Sequence, residues 1–290
     1  MSKKPSKPSS NNNPTTYQFM NATGSIRYPM TNDYIFRIVL QKNEISRKAL
    51  IRDLLHLEEN EVISAEVTNP IDPGDSAQSK ETRMDIRVIL NHNAHLDIEM
   101  QVVNYNDWPE RSLTYLSREF NSLKHGEDYK DIPPVYHIAF LNFTLFPEDP
   151  EFYATYRMLN VKTGKVYSDK YTLSVIDLNH IDLATKEDRI YGIDDWARLL
   201  KADTWEEVKM ITNGNNALAS TAESIFLSNE DYNIRKVALE REEARLEREY
   251  KEKKIQALSQ TVADQNQQLA DMDKEIVRLK ELLATVGINP

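Results

Sequence analysis

Two stretches of this chain alternate apolar and polar residues with the period of a strand, separated by three turn-forming residues. They are Arg-Met-Asp-Ile-Arg-Val-Ile-Leu (83–90) and Ala-His-Leu-Asp-Ile-Glu-Met-Gln-Val-Val (94–103), with Asn91-His92-Asn93 between. A period of two on both sides of a short polar turn predicts an antiparallel hairpin. Centring the turn on His92 pairs Arg87 with Asp97 and Asp85 with Glu99. Met84, Ile86, Val88 and Leu90 then share one face with Leu96, Ile98, Met100 and Val102. Arg83, Asp85, Arg87, His95, Asp97, Glu99 and Gln101 take the other face. Such a hairpin needs an apolar layer against one side, and the surrounding sequence has to supply it.

The flanks read as that layer. Asn32-Asp33 can cap a helix through Leu40, and 44–55 reads as a second helix. Residues 62–68 suit a strand, and the turn-rich segment 69–82 a loop. A helix is expected over 110–124, followed by strands at 135–143, 152–159 and 171–178. From about 193 the pattern is helical, with a break near Asn213-Gly214. Mixed order of this kind predicts an α/β or α+β domain.

The last fifth of the chain has a different period. Taking Ile234 as heptad position a, the a positions are Ile234, Arg241, Arg248, Ile255, Val262, Leu269, Ile276 and Leu283. The d positions are Val237, Ala244, Lys251, Leu258, Gln265, Met272, Leu279 and Val286. Unbroken 3–4 spacing predicts a coiled coil, roughly 80 Å long at about 1.5 Å per residue. β-branched residues at several a positions with Leu at d favour a parallel dimer, and Glu275 and Lys280 would attract across it. A long solvated single helix would show the same spacing. The expected organisation is a basic disordered tail (1–27), an α/β domain with a helical C-terminal part (28–229) and a coiled coil (230–290), with residues 234–286 joining a homodimer or higher oligomer.

Composition narrows the chemistry. With no cysteine there is no disulfide, thiolate zinc site or cysteine nucleophile. The seven glycines form neither GxGxxG nor GxxxxGK[ST], so nucleotide binding of those types lacks its usual support. No apolar run reaches the length of a membrane span, and Lys3, Lys4 and Lys7 precede Pro, Ser and Asn rather than an apolar stretch. A cytoplasmic protein without membrane contact is expected. The formal charge of −10 argues against unspecific adhesion to nucleic acid, and is compatible with an acidic site neutralised by a divalent cation.

Such a site can be placed on the hairpin. Asp85 and Glu99, opposed across the strands, repel each other unless a cation lies between them. Hard carboxylate oxygens suit magnesium or manganese, and a metal so held can polarise a phosphodiester and acidify a bound water. Taken alone, the same pattern describes the wet face of any amphipathic hairpin. His137, inside the apolar run 135–143, reads as a core or rim histidine, and Trp108 and Tyr105 as packing residues or a base-contacting wedge. Arg111, Arg118 and Lys124 lie where a phosphate backbone could pass, or are solvated helix charges.

Five landmarks, in order, carry a resemblance. They are Thr31-Asn32-Asp33-Tyr34-Ile35-Phe36-Arg37, Met84-Asp85-Ile86, Glu99-Met100-Gln101, Arg111-Ser112-Leu113-Thr114-Tyr115 and Pro133-Pro134-Val135-Tyr136. Over about residues 28–180 the chain resembles the recombination-promoting nuclease and putative transposase family of the PD-(D/E)XK nuclease superfamily. The resemblance implies a restriction-endonuclease-like αβββαβ core and metal-dependent DNA cleavage linked to recombination, transposition or phage defence. It implies Asp85, Glu99 and the Met100 backbone carbonyl as ligands of Mg2+ or Mn2+, with Asp33 as an additional acidic group. Gln101 stands where the superfamily usually has lysine. A neutral amide orients by hydrogen bonds and cannot supply positive charge, so a weakly active or inactive DNA-binding protein is the alternative.

Overall fold

The computed structural model describes residues 17–71, 86–121 and 128–285, and the chain divides into two units, Met1–Arg241 and Glu242–Pro290. In the first unit, Asn32 holds an extended conformation while its side chain accepts a hydrogen bond from the Ile35 amide, which starts α1 (Asp33–Lys42). Asn43 caps α2 (Glu44–Leu54) through the Ser46 amide. The strands β1 (Ala65–Val67), β2 (Ile86–Leu90) and β3 (Ala94–Gln101) follow. Asn91 and His92 turn the chain at φ 52° and 60°, in the left-handed region that asparagine and histidine enter more readily than most residues. The Asn91 side-chain Oδ1 also accepts from the Ile63 and Ser64 amides, tying the turn to the start of β1.

Helix α3 (Trp108–Phe120), with Pro109 in its first turn, connects β3 to the parallel strand β4 (Val135–Leu141). Strands β5 (Tyr153–Arg157) and β6 (Tyr171–Asp177) complete a six-stranded sheet in the order β1-β2-β3-β4-β6-β5. Four further helices follow: α4 (Lys186–Ile190), α5 (Ile193–Lys201), α6 (Trp205–Ile211) and α7 (Asn216–Glu230). The expected break falls between α6 and α7, where Gly214 adopts φ 81°. The long helix α8 runs from Tyr232 to Thr285.

The sheet is covered on both sides. Ile86, Val88, Leu96, Ile98, Met100, Ile138 and Phe140 belong to the main core, where Phe36 of α1 meets Phe140 edge to face at 5.9 Å. On the other side Trp108 of α3 packs with Ala139, Leu141 and Val175. The polar face of β3 is therefore not a wet face. Asp97 and Glu99 are only 2% and 5% exposed.

Both expected boundaries of this body need correction. Phe19 is fully buried and Ile26 donates to Asp203 at 2.7 Å, so the body includes residues assigned above to a tail ending at 27. Residues 1–16 lie outside the described residues. At the other end Ile234, Val237 and Ala238 belong to the main core, so α8 begins as part of the body rather than as free coil after 229. The same 3–4 spacing serves either purpose.

Candidate active site

The hairpin register is Ile86 with Ile98 and Arg87 with Asp97, as centring the turn on His92 requires. Asp85 itself lies outside the described residues. On β3, Asp97, Glu99 and Gln101 point to the α3 side, and parallel pairing sets them beside His137, Ala139 and Leu141 of β4. Met100 turns its side chain into the main core, so its backbone alone is available to the site.

Helix α3 brings Trp108, Arg111, Ser112 and Tyr115 to one face by its 3–4 spacing. Arg111 donates from Nη1 to Gln101 Oε1 at 3.0 Å and from Nε to the Tyr115 hydroxyl at 3.1 Å. Its Nη2 lies 3.7 Å from Glu99 Oε2. Burial pulls the Arg111 guanidinium down, but Glu99, Tyr115 and Asp107 together outweigh it and hold the group above its ordinary value. The ring of Tyr115 lies 5.2 Å and that of Trp108 6.0 Å from the guanidinium carbon. Gln101 is fixed from its other end, because Nε2 donates to the Val103 carbonyl at 2.8 Å.

Beside this group, His137 Nδ1 meets Asp97 Oδ2 at 3.1 Å, both residues fully enclosed. Trp108 stacks over the imidazole at 5.7 Å. His137 is thus a core histidine, as expected, and Trp108 a packing residue. Asp97 was not singled out in the sequence; its role depends on the parallel neighbour β4, which hairpin periodicity does not reveal. Arg111 was visible only as a possible backbone contact. Of its expected companions, Arg118 lies 5.9 Å from the Tyr115 ring and Lys124 falls outside the described residues.

The structure does not bring Asp33 to this group. It sits in the first turn of α1, which packs on the opposite side of the sheet, and its Oδ2 lies 3.1 Å from Arg241 Nη2 of α8. Among the described residues there is no group of three or more His, Asp or Glu side chains placed to share an ion. The buried carboxylates of Asp97 and Glu99, two positions apart on one face, are nonetheless the hard oxygen donors a divalent cation prefers.

A family model described as "PD-(D/E)XK nuclease family transposase" matches residues 30–257. The chain belongs to this family. The match runs well past the resemblance read above at about 28–180, so the family's shared unit includes helices α4 to α7 and much of α8. No curated protein and no solved structure matches the chain. Membership of a PD-(D/E)XK nuclease family supports a nuclease-type function, and such nucleases typically use divalent metals. Among the described residues no helix is long and apolar enough to cross a membrane.

Proposed function

We propose that this chain is a metal-dependent DNA endonuclease acting in recombination, transposition or phage defence. The observation that carries the reading is Glu99. A carboxylate 5% exposed costs several kcal/mol to bury unless it is paired or hydrogen-bonded, and Glu99 stands at the acidic position that the family resemblance assigns to metal binding. Glu99, Asp85 and the Met100 carbonyl would hold Mg2+ or Mn2+. The metal, when bound, supplies a polarised phosphate and an acidified water. Glu99 and Asp85 fix the charge that receives it, and the closed layer of α3 keeps the carboxylate out of bulk water.

A second reading keeps the fold without the catalysis, and one observation favours it. Gln101 carries no charge, and Glu99 already faces Arg111. Nicking of supercoiled plasmid with magnesium, manganese, calcium or chelator separates the two. Cleavage in magnesium or manganese that chelator stops supports the nuclease. DNA binding without cleavage in either metal supports the alternative.

The proposal extends to assembly. Ile255, Val262, Leu269 and Ile276 at a, with Leu258, Met272 and Leu279 at d, are each 47–61% exposed on α8. Apolar residues held half in water along one stripe suit a parallel homodimer, with the seam starting after the body's own residues.

A further inference from the structure

Gln101 stands where the superfamily usually places a lysine, and the structure shows what that glutamine does instead. Its amide is clamped in one orientation. Nε2 is spent on the Val103 carbonyl at 2.8 Å, which aims Oε1 at Arg111 Nη1, 3.0 Å away. Arg111 comes from α3, on the far side of the β3–α3 connection, and Nε is steadied by the Tyr115 hydroxyl. Among the described residues these are its two hydrogen bonds. A guanidinium has five N–H groups, so donors remain on Nη1 and Nη2 for a further acceptor. The group stays partly open, at 28% side-chain exposure, beside a Glu99 that is nearly closed.

We infer that Arg111 supplies the cation that the site sets against the scissile phosphate, and that Gln101 is the residue that positions it. The inference rests on the nuclease reading of Glu99. A planar fork of donors matches two phosphate oxygens better than a single ammonium does. It also limits the chemistry. A guanidinium keeps its protons at any pH at which the enzyme would work, so Arg111 binds phosphate and steadies charge developing on it, but does not deprotonate the attacking water. That proton has to leave by another group, which is where this site departs from one built with lysine.

The test uses the full chain and the variants R111A, R111Q, Q101K and R111A/Q101K, each checked by thermal melting. Plasmid nicking in magnesium or manganese is one readout. The other is the salt dependence of binding to a short DNA duplex in calcium. R111A should slow nicking about 10²–10³-fold, the usual loss for one donor to a developing oxyanion. It should also lower the salt slope of binding by about one phosphate contact. Q101K alone should slow nicking, because its ammonium meets the Arg111 guanidinium. In the R111A background the same lysine should raise nicking at least about tenfold, since a cation is restored. R111Q keeps hydrogen-bond donors without charge and should behave like R111A, which covers the case of R111A failing to fold. Nicking by a folded R111A or R111Q at the parent's rate, or a folded double variant no faster than R111A, overturns the inference while the nuclease reading stands. If the parent cuts with neither metal, the nuclease reading fails and the salt slope decides alone. A lost contact in R111A supports Arg111 as the phosphate ligand, and an unchanged slope overturns it.

Discussion

Strand β3 and helix α8 each display one regular stripe, and the two stripes meet different fates. The polar stripe of β3 looks made for water, yet Asp97 and Glu99 lie beneath α3, matched there by His137 and Arg111. The apolar stripe of α8 looks made for burial. Its first turns, Ile234, Val237 and Ala238, are indeed buried in the body, whereas Ile255, Leu258, Val262 and Leu269 stand more than half exposed. Periodicity tells which residues share a face. It does not tell what covers that face, and in both elements the covering layer decides between structure and function.

The largest effect is expected where the α8 stripe changes use. A chain ending at Asn229 loses Ile234, Val237 and Ala238 from the core, and with them the Ala238 carbonyl that accepts from Asn32 Nδ2 at 3.1 Å. Losing two large apolar side chains costs on the order of 5 kcal/mol, which is comparable with the whole stability of many domains. That chain should be unfolded or aggregated, whereas one ending just after Arg241 should melt cooperatively. Equal melting of the two would mean that the first turns of α8 are not core.

On β3 the matching change is Glu99→Ala. Cleavage should fall at least about 10³-fold, or roughly 4 kcal/mol in the barrier. Stability should fall by about 1–3 kcal/mol, because Arg111 loses the nearby charge that offsets its burial. From opposed carboxylates alone the expectation would be neutral or slight stabilisation. The sign of the change in melting temperature therefore tests whether Arg111, rather than repulsion, dominates the apo site.

How much of this was legible follows from which forces are local. The cap at Asn32, the turn at Asn91-His92 and the register of β2 on β3 all depend on neighbours within a few residues, and all were readable. So was the burial of His137, whose flanks are apolar. The Asp97–His137 pair was not, because it needs β4 laid parallel beside β3, forty residues away. The role of Arg111 was hidden similarly. Its i, i+4 partner Tyr115 was in view, but its approach to Gln101 depends on how α3 returns across the sheet. The boundaries at 27 and 229 were misplaced because Phe19 and Ile234 join the core through contacts with distant elements.

The exposed part of the α8 stripe gives the next prediction. Leu269→Asp with Ile276→Asp places two charges at neighbouring a positions of the proposed seam. Burying them unpaired would cost several kcal/mol per chain. Light scattering should find the parent dimeric or larger and the double variant monomeric, with the melting of the body unchanged. A monomeric parent would leave residues 242–285 as a single solvated helix.

The smallest effect separates two uses of one acidic residue. Asp33 pairs with Arg241, one of the seam positions that the body occupies, at 3.1 Å with the carboxylate 36% exposed. A pair this open contributes about 0.2–1 kcal/mol. Asp33→Asn and Arg241→Gln should therefore each lower the melting temperature by no more than a few degrees, and by similar amounts. Neither should slow cleavage, because α1 packs on the side of the sheet opposite Glu99. Nicking slowed at least about tenfold by Asp33→Asn but not by Arg241→Gln would instead put Asp33 to use in the acidic site, because removing the arginine leaves the carboxylate in place. Equal nicking by both variants would confine Asp33 to anchoring α1 on α8. Because both changes remove the same ion pair, stability serves as the internal control and the nicking rate carries the answer.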